Sequence, residues 1–285
     1  MNIMQNTQKI STQSNGIVLI AYQSRQIDYI KLATVCAKLI KKHMVHNHIT
    51  LLTDQEVSDS VFDNVILADP DGPISRRPVV GTMNNDIWIN GNRPNVYEVS
   101  PYDNTLLLDV DYFVFNNSLD ALFGSTETFC FHDKVYDCAD SKSLEKLNTF
   151  GHYKMPHHWA TVMYFTKCPE SEALFSAMKM VRDNWTYYRK FYRIHESRMY
   201  RNDFSLGIAY DLVKGFMRHK TNFIPWHLTT LPVEIEVAGI NDKGIEFVSV
   251  SAKRMRCSTQ GNNVHVLQKA NNENLMEQLE NYATT

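Results

Sequence analysis

Two carboxylates one residue apart close an apolar run: Thr105-Leu106-Leu107-Leu108-Asp109-Val110-Asp111. Like charges this close repel unless a cation or a shared proton joins them. Oxygen-rich pairs suit a hard cation such as Mg²⁺ or Mn²⁺, which commonly bridges to substrate phosphate. Taken alone, the string fits equally a strand that ends in a polar turn with both carboxylates in water. Downstream, Asn263-Val264-His265-Val266-Leu267-Gln268-Lys269 offers complementary chemistry. A histidine can complete a divalent site and a lysine can neutralise phosphate, although both are commoner as surface residues.

Other residues could serve the same chemistry. Asn202 and Asp203 open a helical pattern, where either could cap the helix or project into a pocket; Asp203 is the best unpaired candidate for orienting a transferred group. Arg93 is a candidate for neutralising a diphosphate. Ala21-Tyr22-Gln23 could receive a nucleotide base, with Tyr22 stacking and Asp54 accepting a hydrogen bond. Tyr22 also fits an edge packer, and Asp54 a helix cap. Arg76 and Arg77 lie in turn-rich sequence and read as a solvated loop. His132, Asp133, Asp137 and Asp140 lack a ligand spacing and read as structural or exposed. His157 and His158 are adjacent, so on a strand they face opposite ways and cannot share a metal.

The elements that would position these groups follow from periodicity. Ile17–Tyr22 and Ile49–Thr53 read as buried strands flanking a helix whose apolar face runs from Ile27 to Ile40. This strand-helix-strand unit signals an α/β layer. Thr105–Leu108 continues the sheet and places Asp109 and Asp111 at a strand's carboxyl end, where such sheets bind ligands. Residues 84–90 read as a short helical or irregular approach. Glu127–Phe131 and Ala160–Phe165 read as strands, and Pro169 opens a helix. Later strands are expected near Val233–Ile235 and Ile245–Val250. A closing helix is expected over Asn271–Leu279, with the last four residues fraying. No glycine-rich phosphate cradle opens the first helix, so a dinucleotide-binding fingerprint is absent.

The 285 residues are 44% hydrophobic with a net charge of −2, enough for one substantial core and no overall basic character. The five cysteines are scattered and suggest neither a disulfide scaffold nor a cysteine zinc site. The first fifteen residues are polar, and no run approaches the ~18 apolar residues of a membrane span. These features predict a protein of the cytoplasm (host cytoplasm if viral) without integral membrane contact. Trp185 to Arg201 interleaves aromatics with cations, a pattern that binds nucleic acid or, equally, packs a helix with a solvated basic face.

The whole arrangement resembles the GT-A superfamily of nucleotide-sugar glycosyltransferases, particularly the glycogenin and bacterial galactosyltransferase-like branch. Pro101-Tyr102-Asp103-Asn104-Thr105-Leu106-Leu107-Leu108-Asp109-Val110-Asp111 is similar to the family phrase Tyr-Asp-Arg-x-Leu-x-Leu-Asp-x-Asp. The likeness spans most of Gly16 to Lys269. It implies an α/β chain with a single GT-A domain over residues 16–270. The central sheet would be mostly parallel with helices on both faces, residues 1–15 a flexible tail, and 271–285 a C-terminal helix and tail.

By that resemblance Asp109, Asp111 and His265 bind Mn²⁺ or Mg²⁺, Asp109 also touches the ribose, and Lys269 holds the diphosphate. Ala21, Tyr22 and Asp54 fall where the nucleoside binds, and Asn202-Asp203 resembles the family's Asp-Gln-Asp segment near the donor sugar. The ending departs from the family's His-x-x-Gly-x-Lys-Pro-Trp: Gln268 precedes Lys269, and no Pro-Trp follows. The implied activity is transfer of a sugar from a nucleoside diphosphate, with a UDP-sugar as first choice, to a hydroxyl of a saccharide or other small acceptor. Retention of configuration is expected from the branch resemblance, with inversion by a carboxylate base as the alternative. Alternatives are transfer to a hydroxymethylated base in DNA, a nucleotidyltransferase or phosphohydrolase, and a non-catalytic nucleotide-binding protein with a degenerate transferase fold. Oligomeric state is not legible.

Overall fold

Ile17-Val18-Leu19-Ile20 sends alternate side chains into two different apolar layers, the condition for a strand buried on both faces. Ile17 and Leu19 join the layer containing Leu32, Val35 and Leu39, while Val18 and Ile20 join that of Leu174, Phe175 and Leu206. The computed structural model describes residues 14–68, 90–139, 148–215, 222–232, 234–250, 254–267 and 273–285, with the backbone alone of 75–78 and 85–88.

In chain order the first half comprises β1 (Asn15–Ala21), α1 (Tyr29–His43), β2 (Ile49–Thr53), β3 (Asn64–Leu67), β4 (Ser75–Pro78) and β5 (Asn85–Trp88). A 3-10 turn (Asn90–Asn95), α2 (Val96–Val99), β6 (Asn104–Leu108), β7 (Tyr112–Phe113), β8 (Phe129–His132) and β9 (Val135–Asp137) follow. The second half has β10 (Thr149–Phe150), β11 (Met155–Pro156), β12 (Trp159–Thr166), α3 (Pro169–Asp183), α4 (Trp185–Phe191) and α5 (Asn202–Val213). It ends with β13 (Leu228–Leu231), β14 (Ile235–Asn241), β15 (Gly244–Ser249), β16 (Met255–Ser258), β17 (Val264–Val266) and α6 (Glu273–Thr284).

The main sheet runs β3-β2-β1-β6-β12-β8. Its first four strands are parallel, and β12 is antiparallel to both of its neighbours, so the fold is α/β with a mixed sheet. The register pairs Ala21 with Thr53 and Leu19 with Leu108, which opens the loops after β1, β2 and β6 at one carboxyl edge. A second sheet, β7-β17-β13-β9, stands beside that edge. Strands β14, β15 and β16 form a separate antiparallel meander.

Helix α1 is capped by Asp28, whose carboxylate accepts from the Lys31 amide at 2.9 Å, and it ends on Lys41, Lys42 and His43. Helix α6 packs against it and runs to Thr284 rather than fraying after Leu279. Tyr282 explains the extra turn: its carbonyl accepts from Lys42 at 2.7 Å, and its hydroxyl lies 3.1 Å from His43 Nε2.

Two further expectations are corrected. Ser75–Pro78 and Asn85–Trp88, read as turn and irregular approach, pair as antiparallel strands; the pairing is carried by backbone groups, and a proline is tolerated at such a margin. The strand expected at Val233–Ile235 instead starts at Ile235, after the separate strand Leu228–Leu231. Among the described residues no helix is long and apolar enough to cross a membrane.

Candidate active site

Strand β6 ends where its apolar residues end, and the chain turns at once. The Asp109 amide donates to the Thr161 carbonyl on β12 at 2.9 Å, and the Tyr112 amide donates back to the Asp109 carbonyl at 3.0 Å. The turn carries Asp109 and Asp111 off the sheet edge into β7. Strand β17 then pairs antiparallel with β7, setting His265 opposite Tyr112. The Val266 amide locks that register by donating to the Asp111 carbonyl at 2.9 Å.

The consequence is a three-residue cluster. One donor atom from each of Asp109, Asp111 and His265 lies within 4.8 Å of the others. His265 Nε2 is 3.3 Å from Asp111 Oδ2. Asp111 and His265 are buried, and Asp109, with its side chain 26% exposed, forms the open side. Two carboxylates and an imidazole are a fitting donor set for a divalent cation. Three protein ligands leave coordination positions free for water or phosphate oxygens.

Arg93 belongs to this site by a different contact from the one expected. It is 1% exposed, and its Nη1 donates to Asp109 Oδ1 at 2.6 Å. Its Nη2 donates to the Thr161 carbonyl at 3.3 Å. The guanidinium therefore orients Asp109 from below, and its bond to the carboxylate is charge-assisted.

Asn202 and Asp203 start α5, and the N-cap position falls on Arg201, which makes no side-chain capping bond. Asp203 Oδ1 accepts from the Ala160 amide at 3.0 Å, one residue along β12 from Thr161. Its Oδ2 lies 3.3 Å from Arg201 Nη2. Asn202 Nδ2 donates to the Asn90 carbonyl at 2.8 Å, anchoring the 3-10 turn that carries Arg93. Asp203, Asp109 and Arg93 are thus tied to adjacent peptides of a single strand.

Of the residues expected to receive the nucleoside, Ala21 closes β1 and Tyr22 is buried. Asp54 is exposed just beyond β2, and its Oδ1 accepts from the Gln23 amide at 3.1 Å, which joins the two loops. Lys269 and Asp140 lie outside the described residues, as do the side chains of Arg76 and Arg77. His157 and His158 do face opposite ways: His157 meets Phe150, Trp159 and Phe204, whereas His158 meets Phe131, Tyr210 and Phe223.

Sequence reasoning missed part of the surroundings. The Thr161 carbonyl, which gathers Asp109 and Arg93, is a backbone group and leaves no trace in residue type. His132 is fully buried at the end of β8, where the pairing of Trp159 with His132 precedes a bulge. Among the described residues neither ring nitrogen has a hydrogen-bond partner, and burial, followed by nearby His227 and His265, holds its pKa down to about 3.

No protein-family model matches the chain, and no curated protein matches it. Solved structures do. The glycosyltransferase GlyE of Streptococcus pneumoniae is 13% identical with a TM-score of 0.40, over 75% of this chain and 45% of GlyE. The chain therefore spans less than half of the GlyE length. The galactosyltransferase LgtC, solved with donor and acceptor sugar analogs, is 14% identical with a TM-score of 0.43, over 67% of this chain and 69% of LgtC. The chain bears a distant, low-identity resemblance to these bacterial glycosyltransferases.

Proposed function

We propose that this chain is a metal-dependent glycosyltransferase of the GT-A fold, moving a sugar from a nucleoside diphosphate, first a UDP-sugar, to a hydroxyl of a saccharide or other small acceptor. The observation that carries this reading is the convergence of Asp109, Asp111 and His265 at the carboxyl edge of the sheet. Residues 16–270 form the catalytic unit in this proposal. The unpaired cysteines fit a reducing cytoplasm.

Asp109, Asp111 and His265 would hold Mn²⁺ or Mg²⁺. When bound, the cation supplies positive charge to the departing diphosphate. The C1–O bond to diphosphate breaks as a C1–O bond to the acceptor forms, and the acceptor proton passes to the departing phosphate oxygen. Arg93 keeps Asp109 oriented, and Lys269 adds a cation for the diphosphate. Asp203 orients the donor sugar or the acceptor, which fits retention of configuration. Ala21, Tyr22 and Asp54 bound the nucleoside end.

The test is a panel of nucleotide sugars with Mn²⁺, read by mass change on saccharide acceptors. Nucleoside diphosphate should be released only when an acceptor is present, which separates transfer from hydrolysis. Asp109→Asn and Asp111→Asn should nearly abolish transfer while the chain stays folded. Full activity in either variant would defeat the metal role.

A further inference from the structure

The segment from Trp185 to Arg198 lies outside the metal cluster and builds a second surface. Its inner side is packed: Trp185, Tyr192 and Ile194 join Phe204 and Ile208 in one apolar cluster. The Trp185 indole donates to the Arg198 carbonyl at 3.1 Å, pinning the chain after α4 back against the helix. The loop over residues 151–154 docks on the end of α4, where the His152 amide donates to the carbonyls of Tyr192 at 3.3 Å and Arg193 at 3.2 Å. The outer side is thus held in place by a core beneath it.

That outer side departs from an ordinary basic helix face, which would turn its aromatics inward. Tyr187 is 61% exposed and Phe191 57% exposed, and their rings stack at 5.9 Å with an 18° angle between planes. Lys190, Arg193 and Arg198 are exposed around them. Among the described residues these three cations make no side-chain hydrogen bond or ion pair. A cleft of about 800 Å³ opens beside this face, lined by Tyr187, Lys190, Arg198 and Met199, while Phe191 and Arg193 lie outside its lining. Asp183, an exposed acid that also lines the cleft, is paired with Arg182 at 2.8 Å.

Unengaged cations in and next to a groove, beside exposed stacked rings, form the recognition set for a strand of phosphates carrying unstacked bases. We propose that this cleft and the exposed face beside it bind single-stranded nucleic acid, with phosphates on Lys190 and Arg198 in the cleft and Arg193 next to it, and bases stacked on Tyr187 and Phe191. The cleft also abuts the metal centre's support. Tyr200, on its floor, donates to Asn202 Oδ1 at 3.0 Å, and Asn202 holds the Asn90 carbonyl of the turn bearing Arg93.

The test uses the whole chain in EDTA without nucleotide sugar, so its result is independent of sugar transfer. Fluorescence anisotropy follows labelled (dT)20 and (U)20 against rising salt; the two arms tell DNA from RNA, and binding of either supports the site. With three phosphates neutralised, log affinity should fall against log salt with a slope of about −2. Tyr187→Ala and Phe191→Ala should each weaken binding on the order of tenfold while leaving the slope unchanged. The triple variant K190Q/R193Q/R198Q should flatten the slope, with circular dichroism checking that each variant is folded. Three results would overturn the proposal: no binding of either oligomer, binding insensitive to both ring variants, or binding to phosphatidylserine vesicles in place of the oligomers.

Discussion

His265 and Asp111, which are 154 positions apart, meet at 3.3 Å because the Val266 amide and the Asp111 carbonyl fix the register of β17 against β7. The third candidate ligand is therefore delivered by a strand that folds back late in the chain. Mn²⁺ should raise the melting temperature, by an amount that corresponds to about 2.7 kcal/mol when the free ion is 100-fold above its Kd. EDTA should reverse the gain. His265→Ala and Asp111→Asn should each lose most of it, read by differential scanning fluorimetry. An undiminished Mn²⁺ shift in His265→Ala would remove His265 from the ligand set.

Arg93 and Asp109 form a pair in which the cation is buried and the carboxylate is partly open. Removing the cation takes its charge-assisted bond away from the carboxylate. Arg93→Met should destabilise the fold by about 2 kcal/mol, less than breaking a fully buried pair, because Asp109 retains some solvent. Adding Asp109→Asn to Arg93→Met should recover part of that loss. Urea denaturation of the four proteins in the cycle gives the coupling, expected at about 1 kcal/mol or more. Simple additivity would mean that Arg93 stabilises the turn through Thr161 alone.

What could be read from the sequence follows from where the information resides. Asp109 and Asp111 are legible as a carboxylate pair because the apolar run before them announces a strand end, whereas His265 joins them only through the family resemblance, since a lone histidine reads as a surface residue. Arg93 is legible as a cation near the site, yet its partner depends on a 3-10 turn whose placement hangs on Asn202 and Asn90, a long-range contact. Gly16 reads only as a place where order begins. In the fold, a Cβ there would sit 2.3 Å from the buried ring of Tyr102, whose hydroxyl lies 2.7 Å from Thr50 Oγ1, so this strand start has to be glycine. Backbone acceptors such as the Thr161 carbonyl belong to register, which periodicity alone does not set.

Asp203 separates a scaffold role from a role in transfer. Its Oδ1 accepts the Ala160 amide, and an asparagine oxygen can accept the same bond. Asp203→Asn should then melt close to the parent, whereas Asp203→Ala should lose about 1 kcal/mol with the hydrogen bond. If the charge orients the reacting groups, Asp203→Asn should still lower kcat, on the order of 100-fold, with little change in KM. Equal kcat in Asp203→Asn and the parent would reduce the residue to a strut.

His158 makes stability depend on pH. It is enclosed by Phe131, Tyr210 and Phe223, and burial, followed by the charge of neighbouring His157, holds its pKa down to about 3 against an ordinary 6.5. Between those values the unfolded chain binds the proton and the folded chain does not, so stability rises with pH there. The contribution is fully present above about pH 6.5 and is lost as pH falls, at about 1.4 kcal/mol per pH unit. His158→Phe keeps a ring in the aromatic cluster and removes the titration. Urea midpoints at pH 7.5 and pH 5.0 should therefore differ less in His158→Phe than in the parent. Identical pH dependence in the two proteins would place the acid sensitivity elsewhere, with the buried His132 the next residue to substitute.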